Sequence, residues 1–284
     1  MKTLGVVANC TKERASAVLG RIADKASALG VDLLADKATA TLLKAGTTVS
    51  MDELFDSADG VIALGGDGTM LRVVRAMGEQ DKPIMGVNLG GLGFLTSVAE
   101  EELGRALECV AADSAEIKVR SLAECRVMDG ERDVARYRAL NEIVIGSTSS
   151  RVVTLDLSID ADHVTSYVCD GLIVSTPTGS TGYSLSAGGP ILVPDTSAFI
   201  VCPICPHALS SRPLVVPDNS EITVAGAGST ELVLTADGQA GQALGGGESV
   251  VVRSSSRSVR VMHLPGHSYF SVLRQKLKWR GSSM

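Results

Sequence analysis

The stretch Val61-Ile62-Ala63-Leu64-Gly65-Gly66-Asp67-Gly68-Thr69-Met70-Leu71 decides how the chain is read. Its first four residues have the length and composition of a strand buried on both faces of a parallel sheet. Past the glycines, Met70, Leu71, Val73, Val74 and Met77 recur at helical spacing, which puts the turn at a strand-to-helix junction. Gly65, Gly66 and Gly68 predict a backbone that passes through φ > 0 and comes close to a ligand. The helix that follows offers free N–H groups and a positive dipole end to anionic oxygens. The expected guest is a phosphate, with Asp67 as an isolated carboxylate beside it. Gly-Asp-Gly is also ordinary turn chemistry, so the pentapeptide needs support from elsewhere. It is not a Walker A loop, which requires Gly-Lys, and Leu71 stands where the dinucleotide fingerprint places its third glycine.

Upstream, Thr3 to Ala8 reads as a buried strand, followed by a helix with Val18, Leu19, Ile22, Ala26 and Leu29 on one face, capped by Thr11 and ended by Gly30. Val31 to Leu34 is a second short strand, and the region from there to Ala58 is weakly patterned. Downstream, Pro83 to Val87 is another apolar strand that runs into glycines, Asn88-Leu89-Gly90-Gly91-Leu92-Gly93. Strand, helix and glycine turn in alternation imply parallel βα units with both glycine turns on the carboxyl edge of one sheet. A helix from Ala99 to Ala112 is acidic at its start, as its dipole prefers.

Beyond residue 112 the period changes to two. Val153, Leu155, Leu157 and Ile159 alternate with polar residues, and short runs recur at Glu124 to Met128, Glu221 to Val224, Leu232 to Leu234, Val250 to Val252 and Val259 to Met262. This predicts an α/β domain with a parallel sheet over 1–112, an all-β, sandwich-like domain over 113–266, and a C-terminal helix over 267–284. In that last helix Phe270, Leu273 and Leu277 share a face, and basic residues crowd its end.

The chain has 284 residues, 45% of them hydrophobic and 20% charged, so it is globular; a net charge of −6 and the lack of a basic tract apart from the last dozen residues argue against nucleic acid as the main partner. No run approaches the roughly 18 to 20 apolar residues of a membrane span, and the N-terminal apolar run is too short for a signal peptide. Six cysteines without framework spacing fit a reducing cytoplasm. Cys202-x-x-Cys205 with His207 lacks a fourth zinc ligand and reads as packing.

Asp170 to Pro190, DGLIVSTPTGSTGYSLSAGGP, is the densest collection of hydroxyls and glycines in the chain. A nucleophile elbow would need glycine at Thr178. A loop that binds a polar ligand through hydroxyls and amides fits better, with serine-rich turn structure as the plainer alternative.

Together these motifs resemble the NAD kinases, which phosphorylate the adenosine ribose 2′-hydroxyl of NAD. The resemblance rests on Gly65 to Thr69, Asn88 to Leu95, Asn141-Glu142, and Asp170-Gly171 running into Ser175 to Thr181. It continues with Pro203 to His207, Arg212-Pro213, Asp237-Gly238-Gln239 and the ending Tyr269 to Trp279. The glycine turn alone also resembles lipid kinases and phosphofructokinases. The family resemblance implies that Asp67 is the base, that Gly65, Gly66 and Thr69 form the phosphate loop, and that Gly68 and Arg72 lie along the nucleotide. It implies further that Asn141 and Glu142 bond adenine and ribose groups, and that Thr181, Gly182, Tyr183, Ser184, Leu185 and Ser186 line the adenine side. Asp170 would reach the nicotinamide half, within the chain or across a subunit contact, Gln239 would close the pocket from the β domain, and Arg151 would be a further nucleotide contact. The active site would lie between the two domains, and the C-terminal helix would return to pack on the first. Gly182 stands where the family usually has alanine, and Val168 where it often has a basic residue. No protein cage for a metal is legible; magnesium is expected to arrive with the phosphoryl donor, ATP or polyphosphate. Partners are these small molecules and further copies of the chain, not nucleic acid or membrane. Two competing readings are a lipid kinase sharing the glycine turn and a dinucleotide-binding regulator without turnover.

Overall fold

The computed structural model describes residues 1–91, 93–147, 152–227 and 231–279. The chain forms two compact units, one of Met1–Val119 with Val259–Met284 and one of Arg120–Ser258. These limits differ from the 112 and 266 expected from the change of period, because the last strand returns to the first unit and pairs Val261 with Ile84.

The first unit runs β1 (Thr3–Ala8), α1 (Ala15–Leu29), β2 (Asp32–Ala35), α2 (Lys37–Leu43), β3 (Thr47–Thr48), α3 (Met51–Ser57), β4 (Gly60–Gly65), α4 (Asp67–Met77), β5 (Ile84–Asn88), a 3-10 turn (Glu100–Glu102) and α5 (Leu103–Ala111). Its strands are parallel in the order β5-β4-β1-β2-β3. Leu4, Val6, Ile62, Leu64, Met85 and Val87 pack with Val18, Leu19 and Ile22 of α1 and with Leu103 and Leu107 of α5. Each such side chain contributes roughly 1.5–3 kcal/mol by leaving water. Register fixes what lies at the carboxyl edge: Ala8 pairs with Leu64 and Gly65 with Asn88, so both glycine turns leave the sheet side by side.

Several local expectations are corrected. Thr11 does not cap α1; Arg14 stands at its N-cap, and the Thr11 hydroxyl donates to Asn9 Oδ1 at 2.7 Å. The stretch read as weakly patterned holds two helices. Asp36 caps α2 through the Thr39 amide, and Ser50 and Glu53 form a reciprocal capping box at α3.

The second unit contains β6 (Glu116–Asp129), β7 (Arg132–Ala139), β8 (Glu142–Ser147), β9 (Val153–Ile159), β10 (Asp162–Cys169), β11 (Gly171–Ser175), a 3-10 turn (Thr178–Thr181), α6 (Tyr183–Ser186), β12 (Ala198–Ile204), β13 (Leu214–Pro217), β14 (Ile222–Gly226), β15 (Leu232–Ala236) and β16 (Ala240–Leu244). Then come β17 (Glu248–His263), which ends in the first unit, and α7 (Tyr269–Lys276), which belongs to that unit. One antiparallel sheet has the order β13-β12-β11-β8-β15-β16; a second joins β10-β9-β14-β17, with β6 and β7 continuing from β17. Leu155, Leu157, Val224 and Val250 of the second sheet share a core with Ile145, Leu172, Phe199 and Leu234 of the first. Alternation marks β9, β14 and β15, which bury one face. In β11 every residue is buried, because Ala187 and Leu192 cover the far face at Ile173 and Ile200.

The two runs at 250–252 and 259–262 belong to the single strand β17. In α7 the buried residues are Val272 and Leu273, and Phe270 is 55% exposed, so the helix packs on a different stripe from the one its apolar spacing suggested. Among the described residues no helix is long and apolar enough to cross a membrane.

Candidate active site

The glycine turn works by space, not by left-handed backbone. Gly66, at the N-cap of α4, is extended (φ −156°, ψ −171°), and neither Gly65 nor Gly68 takes a positive φ. A Cβ on Gly65 would strike the Thr69 side chain, whereas one on Gly66 or Gly68 would meet nothing within 4 Å. Two glycines therefore leave an open surface over the first turn of α4. The turn is closed by the amides of Thr69 and Met70 donating to Gly66 O at 2.9 and 3.2 Å.

Asp67 is not the isolated carboxylate expected. Its Oδ1 accepts from the amides of Leu95 and Thr96 and from the Thr96 hydroxyl, each at 3.1 Å, and its Oδ2 accepts from the Phe94 amide at 2.9 Å. The second glycine turn thus wraps the carboxylate in donors, and the N-terminus of α4 adds its dipole. Oδ1 has more donors than lone pairs, and Oδ2 has one donor among the described residues, so capacity for a further hydroxyl lies on Oδ2. Thr96 is itself held by Asn88, whose side-chain amide donates to its hydroxyl at 2.8 Å. Gly93 makes the wrap possible: a Cβ there would lie 2.6 Å from Asp67 Cγ.

Two clefts open on this edge. One, of about 280 Å³, is lined by Lys12, Gly66, Asp67, Asn88, Gly91 and Lys276, among others. The other, of about 250 Å³, is lined by Asn9, Lys12, Gly66, Gly68, Thr69 and Arg72. Arg72 Nη2 donates to Ala8 O at 2.8 Å, which fixes the guanidinium at the edge. Asn9, Lys12, Asn88, Thr96 and Lys276 were missed in sequence. The first two follow β1, whose carboxyl end the alternation of βα units already marked as a ligand edge; Asn88 stands in the second glycine turn and Lys276 in the C-terminal stretch that carries the resemblance, but neither was assigned to the site.

In the second unit, Glu142 begins β8 directly after Asn141, and Asp237 holds both. Its carboxylate accepts from the amides of Leu140 (2.9 Å), Asn141 (2.7 Å) and Glu142 (3.1 Å). Its own amide donates to Glu142 O at 3.0 Å. Glu142 is 8% exposed, and its carboxyl is pushed up to about 7 from 4.5 by burial first and by the Asp237 charge second, against a hydrogen bond from the Tyr183 backbone. Glu142 Oε2, Asn141 Oδ1, Thr178 Oγ1 and Ser184 Oγ are buried without a hydrogen-bond partner among the described residues. Such atoms are costly unless a polar ligand meets them. A Cβ on Gly182 would lie 3.3 Å from Glu142 Oε2 and 3.7 Å from Asn141 Nδ2, so the family's usual alanine would touch this cluster.

The hydroxyl loop divides in two. Thr176 Oγ1 donates to Leu140 O at 2.6 Å, Ser180 Oγ to Pro177 O at 2.7 Å, and Leu192 N donates to Ser180 Oγ at 3.0 Å; these hydroxyls build the loop. Thr178 Oγ1 and Ser184 Oγ take no part in this scaffolding among the described residues. Thr181, Gly182 and Leu185 are half-buried, whereas Asp170, Tyr183, Ser186 and Gln239 are exposed. Gln239 extends from the turn that Asp237 anchors. Arg151 lies outside the described residues. Cys202 is buried in the packing of Ile173 and Ile200, and Cys205 is exposed.

The parallel sheet edge of the first unit, with its fixed carboxylate at a helix N-terminus, and the orphaned polar atoms of the second unit each suit a phosphotransferase that acts on a nucleotide. The family models agree: residues 4–115 match the ATP-NAD kinase N-terminal domain and residues 140–264 the ATP-NAD kinase C-terminal domain. The NAD kinase of Gemmatimonas aurantiaca is 41% identical over 99% of this chain and 97% of its own, and that of Solibacter usitatus 40% over 98% of each. The crystal structure of yeast NADH kinase complexed with NADH has a TM-score of 0.92 at 25% identity, covering 100% of this chain and 89% of that one. An NAD kinase from Archaeoglobus fulgidus in complex with ATP has a TM-score of 0.79 at 26% identity, covering 98% of this chain and 100% of that one. The chain belongs to the ATP-NAD kinase family of phosphotransferases. NAD kinase activity takes precedence over the lipid-kinase and regulator readings.

Proposed function

We propose that the terminal phosphoryl group of ATP or polyphosphate passes to the adenosine ribose 2′-hydroxyl of NAD, with Asp67 as the base. The 2′-oxygen forms the new bond to phosphorus, the bond from that phosphorus to the leaving phosphate breaks, and the hydroxyl proton goes to Asp67 Oδ2. The observation that carries this reading is the Asp67 carboxylate, held by the Phe94, Leu95 and Thr96 amides with acceptor capacity left on Oδ2. A group pinned in this way needs no reorganisation as the reaction proceeds.

The nucleotide is bound along Gly68 and Arg72, above the phosphate loop of Gly65, Gly66 and Thr69. Asn141 and Glu142 take hydrogen bonds from the adenosine, supported by their orphaned oxygens. Thr181 to Ser186 line the base, and Asp170 and Gln239 complete the contacts. Arg151 is assigned by resemblance alone. Magnesium would arrive with the donor and would be held chiefly by its phosphates. Across the linings of the two clefts Asp67 is the one carboxylate among the described residues, beside the side-chain oxygens of Asn9, Thr69 and Asn88, a sparse set suited to a cation that keeps phosphate and water ligands. When bound, the ion neutralises charge on the transferring phosphoryl group. The protein works in the cytoplasm and self-associates; the absence of a Cys framework and the family resemblance support these two points.

The test is NADP formation from NAD with ATP and magnesium, and separately with polyphosphate, by wild type and Asp67→Asn. A fall in turnover of about a hundredfold or more with NAD binding retained is the expected result. An active Asp67→Asn enzyme would remove Asp67 as base, and a wild type silent with both donors would remove the reaction.

A further inference from the structure

Lys12 and Lys276 meet at the same cleft from opposite ends of the sequence. Lys12 follows β1, where the Asn9 amide is bound to Leu64 O at 2.8 Å and the Lys12 amide to Asn9 O at 3.3 Å. That places Lys12 beside the carboxyl end of β4. Lys276 is the last residue of α7 and lines the cleft with Gly66 and Asp67. Its Nζ lies 5.9 Å from the centroid of the Phe94 ring, and the Phe94 amide is the donor that holds Asp67 Oδ2.

Neither lysine has a salt bridge or a side-chain hydrogen bond among the described residues, in contrast to Arg14, Arg21, Lys25 and Arg260, which pair with carboxylates. The cleft's single carboxylate is already wrapped in amides, so among the described lining residues Lys12 and Lys276 are the charged groups left over, beside five glycines, Asn88 and Leu89. Such a surface takes a polyanion. The orphaned polar atoms of the second unit, which suit the uncharged groups of an adenosine, contain no cation. Charge neutralisation is needed where the phosphoryl group moves, beside Asp67, and that is where both lysines stand.

We propose that Lys12 and Lys276 grip the linked phosphates of the phosphoryl donor over Gly66 and neutralise the charge on the transferring and leaving groups. Lysine suits this task as a movable point charge that does not require one fixed fork geometry, and therefore serves a triphosphate or a longer phosphate chain equally. Lys276, seated over Phe94, ties donor binding to the loop that orients the base. The inference rests on the phosphoryl-transfer reading of Asp67.

The variants are Lys276→Met, Lys12→Met and Lys276→Arg. Initial rates are taken with MgATP varied at saturating NAD and with NAD varied at saturating MgATP, and binding of tripolyphosphate is measured by calorimetry without turnover. Each methionine variant is expected to raise the KM for MgATP or lower kcat by about tenfold or more. The KM for NAD should stay within about twofold, tripolyphosphate binding should weaken in parallel, and Lys276→Arg should recover most of the loss. Donor kinetics and tripolyphosphate binding that stay at wild-type values in both methionine variants would overturn the assignment. So would equal losses toward donor and NAD accompanied by a lower melting temperature, which would make the lysines structural. A wild type that forms no NADP would refute the reaction, while the calorimetric comparison would still decide whether the lysines bind linked phosphates.

Discussion

The Asp237 carboxylate accepts the backbone amide of Asn141 at 2.7 Å, and the amides on either side of it, although the two residues are far apart in sequence. A turn between β15 and β16 thereby fixes the start of β8, where Asn141 and Glu142 stand. Hydrogen bonds to a charged acceptor contribute about 1.5–3 kcal/mol each, and losing this acceptor strands three part-buried amides at once. Asp237→Ala is therefore expected to destabilise the protein by about 3 kcal/mol or more, read as a shift in denaturant midpoint, and to weaken NAD binding. Asp237→Ala with wild-type stability would show that the amides find other partners.

Glu142 gives a pH signature. Its folded-state carboxyl titrates near 7 against 4.5 for the free side chain, so the neutral form is the one the fold prefers. Its contribution is fully present below about 4.5 and is lost as pH rises through about 7. Glu142→Gln, which stays neutral throughout, is expected to gain stability relative to wild type across that window, by up to about 3 kcal/mol at pH 8. Thermal unfolding of both proteins from pH 4 to pH 8 checks this, and a difference independent of pH would contradict it.

Gly93 is occupied by glycine because the Asp67 carboxylate lies against it. Gly93→Ala must push either the 93–96 loop or Asp67 out of place, since the Cβ would also fall 2.5 Å from Thr96 Oγ1. Turnover is expected to fall by about a hundredfold, with a loss of about 1–3 kcal/mol in stability. A fully active Gly93→Ala enzyme would show that the wrap is dispensable.

Ser50 tests the part of the fold that local pattern obscured. Its hydroxyl accepts the Glu53 amide at 3.2 Å, and Glu53 returns the bond to the Ser50 amide at 2.9 Å. Ser50→Ala should cost about 1 kcal/mol, seen as a lower melting temperature with unchanged turnover. No change in melting temperature would mean that tertiary packing of Leu54 and Phe55 alone holds α3.

Local chemistry in the sequence determined the strand, glycine turn and helix around Asp67, the second glycine turn on the same edge, and the alternation of β9, because apolar period and glycine spacing act over a few residues. It also marked the hydroxyls of the 170–190 loop as too many for a core strand, whereas Asn141 and Glu142 were marked only by the family resemblance. Only the tertiary structure decided that Asp67 is held by the amides of Phe94, Leu95 and Thr96, that Ser180 and Thr176 spend their hydroxyls on the loop while Thr178 and Ser184 do not, and that Asp237 supports β8. It alone brought Lys276 to the glycine turn and joined two apolar runs into β17. Each of these depends on which distant strand supplies a donor or a neighbour, and no periodicity within one segment carries that information.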